Sequence, residues 1–175
     1  MNEIFSLLDK YKILVAVCDE KEQEEMLISL ITEYVENDAY TDCERNVYQK
    51  KIDYIDPERI DSALKVRDYL IFYSMISKNY NVGILEEQLA EFCKFRQEDI
   101  MDKYMNEISN QDKIAIRCLI SYMRRVKILF GKNFLKQGTD EEKEWLTMFL
   151  KKYFVENSSY CILFEDNKSM YKICM

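Results

Sequence analysis

Histidine is absent from the 175 residues of this chain, and glycine and proline are scarce, with three and one residues. Without histidine there is no Ser-His-Asp or Cys-His arrangement and no imidazole ligand for zinc. The three glycines are isolated, so the sequence has neither a G-x-G-x-x-G loop nor a Walker loop, and nucleotide binding of the usual kinds is not expected. Any chemistry is left to carboxylates, lysines, tyrosines and thiols.

Long apolar runs are missing as well. No run reaches the length that spans a bilayer, and Glu3 and Asp19 interrupt the pattern of a signal peptide. The six cysteines form no C-x-x-C pair, and most of them lie in apolar stretches, where a reduced thiol behaves as a small core residue. These features predict a soluble, cytoplasmic protein.

The charge balance is acidic, with a net charge of −7, while 48% of the residues are hydrophobic. This composition is typical of a globular domain, and the length fits a single one. The negative charge argues against nucleic acid and membrane surfaces as partners, because both are anionic. The basic residues are densest in one segment, which contains Arg117, Arg124, Arg125 and Lys127.

The most informative segment joins an apolar run, an acidic pair and an amphipathic stretch. Residues 13–18 are apolar and rich in β-branched side chains, Asp19 and Glu20 follow, and residues 26–35 repeat apolar side chains with a helical period. This pattern predicts a buried strand that presents two carboxylates at its carboxyl end, followed by a helix. In open α/β sheets the functional crevice lies at that end. The alternative is that the pair only caps the helix.

Similar elements alternate through the rest of the chain. The predicted strands are 13–18, 46–55, 69–73, 100–109 and 126–130, and the predicted helices after the first are 58–67, 84–95, 111–125 and one that follows a capping box at Thr139 and Glu142. This predicts a doubly wound, mostly parallel, five-stranded α/β sheet of the flavodoxin type. Residues 1–155 would form one domain, and 156–175 a C-terminal β-hairpin extension of it. The alternative is an all-helical domain, because periodicity cannot separate a short buried strand from a helix segment.

Two segments resemble the receiver domain of two-component response regulators, especially the LytTR-type regulators. They are I-L-V-A-V-C-D-E-K-E-Q-E-E-M-L-I-S-L-I-T-E-Y and L-I-F-Y-S-M-I-S-K-N-Y-N-V-G-I-L, and with a weaker continuation the resemblance covers about residues 12–155. In that family an acidic pair holds Mg²⁺ beside an aspartate that accepts a phosphoryl group. The resemblance therefore implies a candidate Mg²⁺ site at Asp19 and Glu20.

The position of the family's acceptor aspartate falls here on Ser74, which has no carboxylate. Ser109 lies near the family's hydroxyl position, and Lys132 matches its lysine after the fifth strand. The resemblance thus implies an acidic pocket of Asp19, Glu20, Ser74, Ser109 and Lys132. Without an acceptor aspartate we expect no phosphorylation, no cofactor and no enzyme activity.

The function implied by this resemblance is that of a receiver-like signalling protein that acts through protein–protein contact. In receivers a face that would include Arg117, Arg124, Arg125 and Lys127 carries dimer contacts, so we expect a protein partner or a weak homodimer, and neither nucleic acid nor membrane.

Two other functions stay open. One is a compact acidic inhibitor or immunity-type protein, all-helical, that docks on a basic target. The other is a DNA-binding helix-turn-helix across residues 85–100. Its recognition helix at 97–103 would carry three acids and one base, and these acids would repel phosphates.

Overall fold

The computed structural model describes residues 10–18, 20–38, 52–60, 62–75, 98–136, 139–155 and 159–165, together with positions 6, 7, 87, 90, 93 and 94. Its strands are β1 (Ile13–Val17), β2 (Ile52–Ile55), β3 (Ile128–Lys132) and β4 (Tyr160–Glu165). Its helices are α1 (Lys21–Asp38), α2 (Val66–Met75), α3 (Asn110–Met123) and α4 (Asp140–Leu150), with a 3₁₀ turn at Pro57–Arg59 and a π-helical turn at Lys151–Val155.

The four strands form one parallel sheet in the order β1-β4-β3-β2. In register, Val15 pairs with Leu163, Ile162 with Phe130, and Phe130 with Tyr54. The prediction of an α/β fold with a parallel sheet is confirmed, and the all-helical alternative is wrong. In the described ranges the sheet has four strands, and the five-stranded, receiver-like arrangement is not confirmed.

Helices cover both faces of this sheet, which is why its central strands are apolar at successive positions. On one face Leu129 and Leu163 belong to the larger buried cluster, which also contains Phe149 of α4. On the other face Phe130 and Phe164 stack with ring centroids 5.8 Å apart, in a second cluster with α1. Alternate residues of one strand therefore face two separate cores.

The prediction of a third strand at residues 69–73 is wrong, because these residues lie within α2. Tyr69 and Leu70 are buried, whereas Phe72 is 57% exposed. The Tyr69 and Tyr73 rings, one helical turn apart, lie 4.5 Å apart between centroids. Five apolar residues are too few for periodicity to distinguish a strand from a half-exposed helix.

The predicted fourth strand at residues 100–109 is also wrong. Its backbone forms turns that bond to the start of α2: Val66 N–H donates to the Lys103 carbonyl at 3.0 Å, and Met105 N–H donates to the Leu64 carbonyl at 3.0 Å. The apolar side chains of this segment that suggested a strand, Met105 among them, instead anchor the turns in the core.

Helix termini follow their sequence signals more closely. The capping box before α4 is present: Glu142 N–H donates to Thr139 Oγ1 at 3.2 Å, and Thr139 N–H donates to Glu142 Oε2 at 2.9 Å. Asp56 caps the segment that begins at Pro57, but this segment is a single 3₁₀ turn, so the helix predicted for 58–67 is wrong over most of its length.

The region predicted as a C-terminal hairpin instead contributes a strand to the parallel sheet. Residues 160–165 form β4, which pairs in parallel with β1 and β3. The rest of the predicted hairpin, from residue 166 to residue 175, and most of the helix predicted for 84–95 lie outside the described residues. The division of the chain at residue 155 stays a prediction. In the part of the chain described here, no helix is long and apolar enough to cross a bilayer.

Candidate functional site

A crevice of about 240 Å³ opens at the carboxyl ends of β1, β3 and β4. This is the edge where parallel α/β sheets carry their ligands. Its walls come from the connection between β1 and α1, from the turn after β3, and from the last residues of β4. The lining residues are Cys18, Glu20, Lys21, Glu24, Lys132, Asn133, Phe164 and Glu165.

The Glu24 carboxylate joins three elements at this crevice. Glu24 lies in the first turns of α1 and is 8% exposed. It accepts a hydrogen bond of 2.5 Å from the Tyr54 hydroxyl of β2 and pairs with Lys132 Nζ, at the end of β3, at 3.2 Å. Burial, and secondarily the bond to Glu24, raises the pKa of Tyr54. Tyr54 therefore stays a neutral hydrogen-bond donor at neutral pH.

The turn after β3 fixes the opposite wall. The Phe134 ring packs so closely under Gly131 that a Cβ there would lie 2.5 Å from it. Asn133 adopts a φ of 52°, which asparagine tolerates better than most residues, and its N–H donates to the Phe164 carbonyl at 2.8 Å. Leu135 N–H donates to Glu165 Oε1 at 2.9 Å. This turn therefore holds the Glu165 carboxylate at the crevice.

The predicted acidic pocket is only partly assembled. Glu20 and Lys132 both line the crevice. Asp19 lies outside the described residues, so the Mg²⁺ site at Asp19 and Glu20 stays a prediction. Ser74 lies in α2 and does not follow a strand. Ser109 caps α3, where its Oγ accepts from Asp112 N–H at 3.1 Å and donates to Asp112 Oδ2 at 2.7 Å.

The four basic residues assigned to an interaction face have different environments. Arg117 turns inward: its guanidinium lies 3.6 Å from Asp53 Oδ2 and 5.3 Å from the centre of the Tyr73 ring. Arg124 is the C-cap of α3, while Arg125 and Lys127 are exposed in the connection from α3 to β3. That connection leads into the amino end of β3, at the opposite edge of the sheet from the crevice.

Sequence reasoning missed Glu24, Tyr54 and Glu165. Glu165 carried a usable signal, because it ends an apolar strand as the Asp19-Glu20 pair does, but its segment was interpreted as a hairpin arm. Glu24 resembles an ordinary acid in the first turns of a helix. Only the pairing of β2 with β3 brings Tyr54 close to it. Among the described residues, no cluster of three or more His, Cys, Asp or Glu has the arrangement of a metal site.

No protein-family model matches this sequence, and no curated protein matches it significantly. Solved structures do share the fold. A putative ABC transporter ATP-binding protein from Pyrococcus furiosus superposes with a TM-score of 0.55 at 13% identity, over 71% of this chain and 60% of that chain. An ATP-binding subunit of an ABC transporter gives a TM-score of 0.57 at 12% identity, over 69% and 50%.

A third similar structure is cbiO1 from Clostridium perfringens, part of the ABC transporter complex cbiONQ, with a TM-score of 0.53 at 14% identity over 72% and 52%. This chain thus spans between half and six-tenths of the length of these proteins. At such low identities the likeness shows the fold alone.

These structures correct the interpretation drawn from the receiver resemblance. The fold neighbours are ATP-binding proteins of ABC transporters, so the assignment to receiver domains is wrong, and so is the receiver-like signalling function. The expectation that the protein is not an enzyme rested on the receiver resemblance and is contradicted by the same fold neighbours, which are ATP-binding proteins. The expected partners, a protein or a weak homodimer and no membrane, are contradicted because all three neighbours are described as ABC transporter proteins.

Proposed function

We propose that the protein is an ATP-binding-type subunit of an ABC-transporter-like complex, and that it binds the polyphosphate of a nucleotide in the crevice beside Lys132. The observation that carries this proposal is the similarity of fold to three such proteins, together with the crevice at the carboxyl edge of this chain's own parallel sheet. That the protein has the activity of a whole transporter subunit is likewise a proposal, because this chain covers between half and six-tenths of the length of the three similar structures.

The chemistry of the crevice suits a phosphate that carries a metal ion better than a bare phosphate. Lys132 offers a partly exposed ammonium, and α1 directs the positive end of its dipole towards the crevice. Three glutamates also line the crevice, and their negative charge opposes the binding of a bare phosphate: Glu20, Glu24 and Glu165. A divalent cation bound to the nucleotide would offset their charge, and glutamate oxygens are ligands that Mg²⁺ accepts. The connection from β1 to α1 has no glycine, so a backbone cradle for phosphate does not contribute.

A membrane-bound protein subunit is the partner that the charge favours, with this protein on the cytoplasmic side. The net charge of −7 opposes direct contact with anionic headgroups, so contact with a bilayer would run through another chain.

Calorimetric titration with Mg-ATP, and with ATP in the presence of EDTA, tests the nucleotide proposal. We expect binding of Mg-ATP, and a loss of about tenfold in affinity in a Lys132→Met variant, because a charge-assisted contact to phosphate is removed. Lys136→Met, which removes an exposed lysine in the same turn, is the matched control and should bind as the wild type does. Phosphate release, measured on the same samples, reports turnover. A wild-type protein that binds no Mg-ATP at millimolar concentration contradicts the proposal.

A further inference from the structure

The basic group best placed to bind an anion in the crevice is already engaged by the protein itself. Lys132 Nζ lies 3.2 Å from Glu24 Oε2, with 33% of the lysine side chain exposed and 11% of the glutamate side chain. The other lysine of the crevice, Lys21, pairs with Glu25 at 2.9 Å on the open surface. Lys132 is therefore accessible to an anion from solvent, but its charge is already neutralised by Glu24.

Glu24 is held in this position from a second side. The Tyr54 hydroxyl donates a 2.5 Å hydrogen bond to Glu24 Oε1, while Oε2 faces Lys132. The two oxygens of one carboxylate thus have separate partners on neighbouring strands. This arrangement fixes the carboxylate better than a surface ion pair, in which both side chains are mobile.

A carboxylate and a phosphate oxygen are both anionic acceptors, and they compete for the same ammonium. A phosphate that reached Lys132 would also lie close to the uncompensated charge of Glu24, which costs binding energy at such distances. The pair therefore opposes anion binding twice, by occupying the cation and by repelling the ligand.

We propose that Glu24 is an internal competitor that occupies Lys132 and restrains the binding of oligophosphates in the crevice. The contact is autoinhibitory: the ligand must displace Glu24, or neutralise it, before Lys132 can bind a phosphate group. That the natural ligand is a nucleotide rests on the proposed function, whereas the competition itself rests on the geometry of Glu24, Tyr54 and Lys132.

The test uses pyrophosphate without metal, on the full-length protein. We expect Glu24→Gln to bind pyrophosphate about tenfold more tightly than the wild type, since a competing charge at contact distance is removed while the amide oxygen still accepts from Tyr54. Glu22→Gln removes an exposed glutamate of the same helix turn that does not line the crevice, and its effect should be much smaller. Tyr54→Phe, which releases the carboxylate but keeps its charge, should give a smaller gain than Glu24→Gln.

A double-mutant cycle separates this role from a general effect of charge. In a Lys132→Met background the gain from Glu24→Gln should shrink, because only the repulsion between Glu24 and the ligand is then left to remove. Equal gains from Glu22→Gln and Glu24→Gln, or a gain from Glu24→Gln that is undiminished without Lys132, would overturn the inference. If Glu24→Gln gains pyrophosphate affinity while no variant binds Mg-ATP, the inference stands and the proposed function fails. If Mg-ATP binds but Glu24→Gln leaves pyrophosphate affinity unchanged, the inference fails alone.

Discussion

Asp53 is a buried carboxylate whose charge has to be compensated by its neighbours. It lies in β2 and is 1% exposed, which would be costly for an isolated carboxylate. Ser121 of α3 donates a 2.7 Å hydrogen bond to Asp53 Oδ2, and the Arg117 guanidinium lies 3.6 Å from the same oxygen. Arg117 is in turn stacked on Tyr73, so β2, α2 and α3 meet at one charged contact.

Replacing Arg117 should therefore destabilise the fold. We expect Arg117→Met to lower the free energy of unfolding by about 3 kcal/mol, because the change leaves a buried carboxylate without its cation. Urea denaturation followed by circular dichroism measures the change. Arg125→Met, which removes an exposed arginine two residues after α3, is the control and should alter stability by less than about 0.5 kcal/mol. Equal losses of stability in the two variants would contradict the role of Arg117 in compensating the buried charge of Asp53.

At the scale of elements, the turn after β3 shapes the crevice through packing. Gly131 is the last residue of β3 but one, and the Phe134 ring occupies the space that a side chain there would need. Because Leu135 follows in the same turn and binds Glu165, a shift of Phe134 would be transmitted to the crevice wall.

Gly131→Ala should accordingly cost about 2 kcal/mol of stability, since the added methyl group overpacks a buried aromatic ring. A Gly131→Ala/Phe134→Leu double variant makes room for the methyl group, so its loss should be smaller than the sum of the two single losses. Thermal unfolding of the four proteins measures this coupling. Additive losses would mean that the ring does not oppose the methyl group.

The elements that sequence reasoning predicted best are those with a long period or a defined cap. α1, α3 and α4 carry helical periods over more than two turns, and α4 also has its capping box. Residues 69–73 and 100–109 were misassigned because short apolar segments are buried equally well in a helix or in turns. Their conformation depends on long-range contacts, such as those from Lys103 to the start of α2.

Two residues of the predicted pocket, Glu20 and Lys132, line the crevice, while the pocket as a functional site stays a prediction. A strand that ends in acids indicated Glu20, and the resemblance to receiver domains indicated Lys132. Tyr54 and Glu24 could not be linked, because their contact depends on the order of the strands. The resemblance to receivers was misleading for a related reason: a strand, an acidic pair and a helix recur in many α/β folds and do not specify one.

At the scale of the whole molecule, two features of the protein favour opposite conclusions about nucleotide binding. The fold is similar to that of ATP-binding proteins of ABC transporters, whereas the chain is acidic and has no glycine-rich loop. Both features are accommodated if the ligand's phosphates lie beside Lys132 and a divalent cation offsets the charge of the glutamates. The protein would then bind nucleotide through side chains, and less tightly than a backbone cradle allows.

A crystal structure of the protein grown with Mg²⁺ and a non-hydrolysable ATP analogue tests this central claim most directly. We expect phosphate density at the carboxyl ends of β1, β3 and β4, with Lys132 Nζ moved from Glu24 onto a phosphate oxygen. An analogue bound elsewhere on the molecule, or a crevice in which the Glu24–Lys132 pair is intact under saturating ligand, would contradict it.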